Sequence, residues 1–268
     1  MFIVDTSGSM SGTINAVQQA MSMFSANYSD EEVILWGLAI GPVNWNGVED
    51  ALVLESNLVP FQQFLPALTM IDDETTSEEM LFDAVYFSIR NLIPNQPAVP
   101  EIFQWDTDVT SNPPVESWII NWRDDANHVV IVFSDEPGQS HGTPQTTQQK
   151  VIDAAQQADE LSIYTFSTPL TKIGSNGWGP VAVNGSWSKL TSNTNQMFSE
   201  LMDIVNETAC GGGSVVEASF RNERAFYHAA YRESVTFEVS GFGTSWWIHV
   251  PTKQCIHPFD LSESSKGR

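Results

Sequence analysis

Most of the chain alternates between short apolar runs and longer segments whose apolar residues recur at helical spacing. Short apolar runs are typical of buried strands, and a period of 3.6 residues is typical of amphipathic helices. The predicted strands are Phe2–Val4, Val33–Ile40, Ala51–Leu54, His128–Phe133, Leu161–Phe166 and an edge strand at Val181–Val183. The predicted helices are Ser11–Ala26, Phe61–Leu68, Ser77–Leu92, Thr146–Glu160 and Asn195–Glu207. This order predicts an α/β fold, a doubly wound, mostly parallel, Rossmann-like sheet flanked by helices.

Local signals refine two of these elements. The turn-rich link between Val33–Ile40 and Ala51–Leu54 is too short for a crossover helix, so we expect these two strands to pair as an antiparallel hairpin. The helix Ser77–Leu92 is predicted to begin with Ser77 as its N-cap, because two glutamates would then occupy the first turn, where acidic side chains are favoured.

Two segments depart from the alternation of strands and helices. Residues 94–125 are rich in proline, tryptophan and acids and precede the His128 strand, which predicts an insertion at the pole of the sheet opposite the carboxyl ends of its strands. After the run Cys210–Gly213 the composition changes, and Val235–Val239 and Trp246–Val250 are predicted to form a strand pair. We therefore predict a domain at 1–209, containing the insertion 94–125, and a small β-rich appendage at 210–268.

The charge of the chain excludes some classes of partner. Its 268 residues contain 33 Asp plus Glu against 11 Lys plus Arg, a net charge of -22. Nucleic acids and anionic membranes are bound through clustered basic side chains, so we expect neither partner. The 41% of apolar residues is enough for a sizeable core, which argues against acidic disorder. No run of 18 apolar residues occurs, so no membrane insertion is expected.

The two cysteines bear on the compartment. Cys210 and Cys255 do not have the spacing of a zinc site, and a disulfide between them is favoured over two buried thiols. Three N-x-S/T sequons, at Asn27, Asn184 and Asn206, also fit an extracellular or surface-displayed protein. The chain opens on a predicted strand rather than a signal peptide, so for an exported protein we expect a removed signal, a partial chain or another route of export.

The segment Asp5-Thr6-Ser7-Gly8-Ser9 follows the first predicted strand directly. A turn there directs Asp5, Ser7 and Ser9 into one space, and their hard oxygen atoms suit Mg²⁺, Mn²⁺ or Ca²⁺ better than zinc or copper. An ordinary strand-to-helix turn, with these residues as caps, is the alternative. Asp135 stands just past a strand predicted to lie beside the first, and two crowded carboxylates favour a cation.

Placed after a buried strand, Asp5–Met10 resembles the metal-ion-dependent adhesion site of von Willebrand factor type A domains. The order of elements from Phe2 to about Glu207, including the Ser134-Asp135 strand end, is similar to that fold. The resemblance implies one further ligand before the long helix. In an integrin β-like and bacterial subset this is a Glu four residues before an Asp-Ala pair, which corresponds to Glu79. Other members use a Thr, which corresponds to Thr75 or Thr76, and we prefer Glu79 with Thr75 second.

What the resemblance implies is adhesion through a cation. A divalent ion, Mg²⁺ or else Mn²⁺ or Ca²⁺, is expected to capture a carboxylate offered by a protein or by a glycan-bearing surface, within a larger fibre or surface assembly. Trp45 and Trp178 lie in loops on the same face of the sheet and are candidates for an aromatic rim around the ligand, although packing onto the loop base is the alternative. An intracellular scaffold for a partner such as an ATPase is the second functional hypothesis.

Enzymatic activity is not expected. The five histidines are scattered, and none of the sequence motifs of metalloproteases, α/β-hydrolases or P-loop nucleotide-binding proteins occurs. A hydrolase with Ser7 or Ser9 as nucleophile has no histidine that the sequence assigns as its base, although His141 follows Asp135 closely. We therefore expect a binding module.

Overall fold

The structure is a computed structural model, and it describes residues 1–28, 34–41, 43–45, 48–50, 52–71, 80–94, 96, 104–105, 118–140, 142–209, 234–241 and 244–251. Its strands are β1 Phe2–Asp5, β2 Trp36–Gly41, β3 Val43–Trp45, β4 Val48–Asp50, β5 Val53–Val59, β6 Gln104–Trp105, β7 His128–Ser134, β8 Gly142–Thr143, β9 Leu161–Ser167, β10 Trp187–Lys189, β11 Ser234–Gly241 and β12 Thr244–Pro251. Its helices are α1 Ile14–Asn27, α2 Phe61–Leu68, α3 Leu81–Arg90, α4 Gln148–Gln157 and α5 Thr194–Ala209, and a 3-10 helix, Gly8–Gly12, precedes α1.

Six strands form the main sheet in the order β10-β9-β7-β1-β2-β5. The first five run parallel, and β5 pairs antiparallel with β2 at the edge. The order reverses at β1, which pairs with β2 on one side and β7 on the other. This confirms the predicted doubly wound, mostly parallel sheet and the antiparallel pairing of the second and third predicted strands.

Alternate side chains of the buried central strands pack against helices on opposite faces, as the period of two along a strand requires. On one face the ring of Phe2 packs edge-on against that of Phe24 in α1, with centroids 6.2 Å apart. The same ring stacks on that of Phe64 in α2, with centroids 6.1 Å apart. On the other face Ile3 belongs to an apolar cluster with residues of α3 and α4, including Val85 and Val151. Both faces of the sheet are therefore covered, which fixes the register of the strands.

Two predicted elements are placed differently by the structure. The helix predicted from Ser77 begins at Leu81, because Met80 has non-helical dihedral angles, φ -90° and ψ 41°, and a fully buried side chain. The edge strand predicted at Val181–Val183 is wrong. Val181 and Val183 lie in turns. Trp187–Lys189 pairs with β9 instead, and the Trp187 indole donates to Ser167 Oγ at 2.8 Å.

The described end of the predicted insertion packs at the start of β7. Trp118 and Ile120 are 1% exposed, and the Trp122 indole donates to the Ser88 carbonyl of α3 at 2.8 Å. Asn57 of β5 donates to the carbonyl of Ile119 at 2.6 Å. These contacts lie at the amino end of β7, the pole predicted for the insertion.

The chain divides into two compact units, Met1–Met202 and Asp203–Arg268. In the second unit β11 and β12 form an antiparallel pair that runs from Ser234 opposite Pro251 to Gly241 opposite Thr244, where a strand pair was predicted. The domain boundary between 209 and 210 stays a prediction. None of the described helices has the length and apolar character needed to cross a membrane.

Candidate metal site

The site is built where two neighbouring parallel strands end. β1 ends at Asp5 and β7 ends at Ser134, and the register pairs Val4 with Phe133. The two end residues are therefore side by side, and Ser134 Oγ donates a 2.7 Å hydrogen bond to Asp5 Oδ2. The backbone N–H of Ser7 donates to the other oxygen, Oδ1, at 2.9 Å. Both oxygens of the fully buried Asp5 carboxylate are thus held in place.

The turn after β1 brings two hydroxyls and a second carboxylate together. The hydroxyls of Ser7 and Ser9 are 2.9 Å apart, and Ser9 Oγ donates to Asp135 Oδ1 at 2.9 Å. Although Ser7 precedes the 3-10 helix, its hydroxyl makes no capping hydrogen bond to that helix. Asp5, Ser7, Ser9 and Asp135 therefore meet as the sequence predicted, and their role as ligands stays a prediction.

Burial sets the charge state of Asp5. Burial raises the pKa of Asp5, the nearby Asp135 adds to this rise, and hydrogen bonds from Ser7 and Ser134 oppose it, so that the pKa is about 6. A buried carboxylate of this kind carries a desolvation penalty when ionised, and a bound cation would offset that penalty. The site is consequently built to gain from a positive charge.

The donor set fits a small hard cation. It consists of oxygen atoms only, from two carboxylates and two hydroxyls, as Mg²⁺ and Ca²⁺ prefer. Ser7 Oγ, Ser9 Oγ and Asp135 Oδ1 are linked by hydrogen bonds of 2.9 Å, so these oxygen atoms already lie close together. In the described part of the chain, no group of three or more His, Cys, Asp and Glu side chains lies close enough to hold a metal ion.

Contacts from two other elements hold the loop that carries Asp135. The indole of Trp178 donates to the Glu136 carbonyl at 2.8 Å, and Phe82 of α3 donates its N–H to the carbonyl of Gln139 at 3.0 Å. Asp83 of α3 is fully buried and accepts a 2.9 Å hydrogen bond from Ser140 Oγ. The loop is therefore anchored from α3 on one side and from the β9–β10 loop on the other.

Trp178 does not form part of an exposed aromatic rim, and the alternative given for it, packing onto the base of its loop, is the one observed. Its side chain is 0% exposed and packs edge-on against the ring of Phe82, with centroids 5.1 Å apart. The large ring fills the space beneath the Asp135 loop, where its N–H also finds an acceptor. The other rim candidate, Trp45, is the last residue of β3, and its side chain lies outside the described residues.

Two polar residues at the site were missed by the sequence reasoning. Ser134 binds Asp5, and Thr168, which follows β9, donates from Oγ1 to the Asp135 carbonyl at 3.5 Å. The available signal was a polar residue at the carboxyl end of each buried strand, next to strands already predicted to neighbour β1. Ser134 was noted only as part of the strand end before Asp135, and its contact with Asp5 follows from the strand register.

Several other predicted residues lie outside the described part of the chain. The candidates for the further metal ligand before α3 are among them: Glu79, Thr75 and Thr76. The others are His141, considered as the base of a hydrolase, and the disulfide candidates Cys210 and Cys255.

No protein-family model and no curated protein matches this sequence. Solved structures of similar fold include von Willebrand factor type A from Catenulispora acidiphila, at 12% identity over 79% of this chain and 42% of that one, with a TM-score of 0.46. Proximal thread matrix protein 1 of the mussel byssus, with a zinc-occupied MIDAS motif, is 10% identical over 78% and 47%, with a TM-score of 0.41. The PilB minor pilin from Streptococcus sanguinis is 8% identical over 77% and 60%, with a TM-score of 0.44.

This chain thus spans less than two thirds of the length of each of these proteins. The chain is similar in fold to von Willebrand factor type A domains. At such identities and TM-scores, no residue role and no binding partner passes from those proteins to this one.

Proposed function

We propose that this chain is a metal-dependent adhesion module of the von Willebrand factor A type, which captures an acidic group of a protein or glycan-bearing partner through a divalent cation. One observation carries the proposal. Four oxygen-bearing side chains, those of Asp5, Ser7, Ser9 and Asp135, meet at the strand ends, where the hydroxyls and the Asp135 carboxylate are spaced at 2.9 Å.

In such a site the bound cation and the surrounding residues have different roles. A bound Mg²⁺, or Mn²⁺ or Ca²⁺, supplies a local positive charge that attracts a carboxylate towards a protein of charge -22. Asp5 is held by Ser134 and by the backbone of Ser7, so it contributes a fixed buried charge. Ser9 is exposed, which leaves the outer side of the site accessible to a partner. These roles describe binding and positioning, and we propose no catalysis.

We propose Glu79 as the remaining ligand, with Thr75 and then Thr76 as alternatives. The described start of α3 is hydrogen-bonded to the loop that follows Asp135, through Phe82 N–H and the Gln139 carbonyl at 3.0 Å. The three candidates precede this helix start in the sequence. A Glu makes the site more negative than a Thr, so it strengthens metal binding and weakens the attraction of the bound metal for a carboxylate.

The central test compares the thermal stability of the native protein and of Ser9→Ala in Mg²⁺, Mn²⁺, Ca²⁺ and EDTA. We expect divalent ions to raise the Tm of the native protein, because they bind the folded state only, and to raise that of Ser9→Ala much less. Ser11→Ala is the matched control, since Ser11 is an exposed serine of the same 3-10 helix. Equal Tm values in Mg²⁺ and EDTA for the native protein, with Mn²⁺ and Ca²⁺ also without effect, would sink the proposal.

The choice of the remaining ligand has its own test. We expect Glu79→Gln to weaken Mg²⁺ binding, measured by calorimetry, while its neighbour Glu78→Gln leaves the affinity unchanged. If Glu79→Gln binds Mg²⁺ as the native protein does and Thr75→Ala or Thr76→Ala does not, the ligand is the threonine in question.

We propose that the protein works outside the cell or on a cell surface, within a fibre or other assembly. The sequons, the acidic coat and the pair Cys210 and Cys255 support this location. Mass measurement of the native protein after thiol labelling, with and without reduction, tests it. Two free thiols in the native protein would favour the intracellular scaffold instead.

A further inference from the structure

Two aliphatic side chains of the β9–β10 loop are exposed far beyond the other large apolar residues described. Leu170 is 93% exposed and Ile173 is 81% exposed. The remaining exposed large hydrophobics among the described residues, at positions 23, 65 and 119, are 42%, 38% and 48% exposed. Single half-exposed apolar residues are ordinary on a protein surface, whereas two almost fully exposed ones, three residues apart in the same loop, make a candidate contact surface.

The loop lies beside the candidate metal site. Ser167, the last residue of β9, pairs with Ser134, so Thr168 comes next to Asp135 and donates to its carbonyl at 3.5 Å. The hydroxyl of Thr171 folds back to within 3.1 Å of the Thr168 hydroxyl. Leu170 lies two residues after Thr168, so its Cα atom lies within about 7.6 Å of the Thr168 Cα. Ile173 lies within the same distance of the Thr171 Cα, one step further from Asp135.

Hydrogen bonds fix the backbone of this loop. Trp178 N–H donates to the Thr171 carbonyl, and Gly179 N–H donates to the Lys172 carbonyl, each at 2.9 Å. From α4, the Gln148 side chain donates to the carbonyls of Gly174 at 3.0 Å and Gly177 at 2.6 Å. The buried Trp178 therefore anchors the loop, while Leu170 and Ile173 are left on its outer surface.

We propose that Leu170 and Ile173 form the apolar half of the ligand-binding surface, and that the partner is a protein segment with an acidic residue flanked by aliphatic side chains. The inference rests on the proposed function, because the acidic residue is the one that the cation captures. Lys172, between the two aliphatic residues, adds a positive charge on an otherwise acidic protein, with its Nζ 4.0 Å from the centre of the Trp187 ring. Charge and apolar surface thus match the same kind of segment.

Three blocked pentapeptides test the proposal: Asp flanked by leucines, Asp flanked by serines, and Asn flanked by leucines. Binding is measured by calorimetry in Mg²⁺ and in EDTA. In Mg²⁺ we expect the leucine-flanked Asp peptide to bind about tenfold more tightly than the serine-flanked one, since burying two aliphatic side chains outweighs the lost peptide freedom. The Asn peptide is expected to bind at least tenfold more weakly than its Asp counterpart.

The double variant Leu170→Ser, Ile173→Ser should abolish the preference for leucines and keep the dependence on Mg²⁺ and Asp. Ile119→Ser, which changes an exposed aliphatic residue outside this loop, should keep the preference. An unchanged preference for leucines in the double variant overturns the inference and leaves the proposed function standing.

A native protein that binds neither Asp peptide in Mg²⁺ overturns the proposed function itself. A native dimer that the double variant converts to monomer, seen by sedimentation, assigns the surface to a second copy and also overturns the inference.

Discussion

Ser134 Oγ and Asp5 Oδ2 are joined by a 2.7 Å hydrogen bond across the ends of two parallel strands. The bond opposes the effect of burial, because donating to the carboxylate stabilises its ionised form and lowers the pKa of Asp5. Under the proposed function, Ser134 is a positioning residue that acts on the candidate metal site through Asp5.

Ser134→Ala is expected to raise the pKa of Asp5 above about 6. Protons then compete with the cation up to a higher pH, so the pH at which Mg²⁺ binding is half-lost should move upwards. The test is to measure the Mg²⁺ affinity by calorimetry from pH 5 to pH 8, a range of about three pH units that includes the pKa of Asp5. Ser25→Ala is the control, since Ser25 is equally buried and donates a 2.7 Å bond to the Met21 carbonyl in α1. The same midpoint in Ser134→Ala and Ser25→Ala would contradict the role given to Ser134.

Asp5→Asn tests the energetic effect of the buried carboxylate itself. The pKa of Asp5 rises from 3.8 to about 6 on folding, so between these values the folded state binds a proton that the unfolded chain has released. This contribution to stability is fully present below the unfolded pKa of 3.8 and is lost as the pH rises through about 6. Without metal, the native protein should lose up to about 3 kcal/mol of stability over that range.

In EDTA at pH 7, Asp5→Asn should therefore be more stable than the native protein. Its stability should also change less between about pH 4 and pH 7, the range that covers the unfolded and folded pKa values of Asp5. Urea denaturation measures both quantities. In Mg²⁺ the order is expected to reverse, because only the native protein gains from the cation. A destabilised Asp5→Asn protein in EDTA at pH 7 would show that Asp5 stabilises the fold without a metal.

The sequence predicted the parts of the site that are local or that follow from strand order. Asp5, Ser7 and Ser9 lie within five residues after a buried strand, so a single turn brings them together. Asp135 was predicted because its strand was expected beside the first one. The contact between Ser134 and Asp5 depends on the pairing of Val4 with Phe133, and no sequence pattern specifies that register.

The burial of Trp178 and the position of the edge strand depend on tertiary packing. A tryptophan in a glycine-rich loop has the same sequence signature whether it faces solvent or, as here, fills the space beneath the Glu136 carbonyl. At the sheet edge the apolar run Val181–Val183 resembles a strand, yet Trp187–Lys189 pairs with β9. Val181 is fully buried in the core instead, which satisfies its apolar side chain without a strand.

Trp178→Phe is expected to destabilise the protein modestly and to weaken Mg²⁺ binding. The substitution removes the indole hydrogen bond to the Glu136 carbonyl, worth about 1 kcal/mol. With one anchor lost, the Asp135 loop should be held less firmly, and we expect Mg²⁺ affinity to fall about tenfold.

Trp122→Phe is the matched control for Trp178→Phe. The Trp122 indole makes a hydrogen bond of the same length, 2.8 Å, to the Ser88 carbonyl at the other end of the sheet. Because Trp122 is only partly buried, we expect a loss of stability in urea no larger than that of Trp178→Phe, and an unchanged Mg²⁺ affinity. Equal weakening of Mg²⁺ binding by the two variants would mean that the effect follows overall stability rather than the anchoring of Asp135.

Gly138→Ala tests the close packing between the Asp135 loop and α3. A Cβ atom at Gly138 would overlap the ring of Phe82, so the loop or the ring must move, with an expected loss of about 1–3 kcal/mol. Gly12→Ala is the control, since a Cβ there meets no atom within 4 Å, and its effect should be neutral or stabilising by up to about 1 kcal/mol. If the overlap is the cause, Gly138→Ala should lose less stability in a Phe82→Leu background than in the native protein, because the smaller side chain leaves room for the methyl group. Equal losses in the two backgrounds, measured by urea denaturation, would place the strain in the backbone of the loop and remove Phe82 from the explanation.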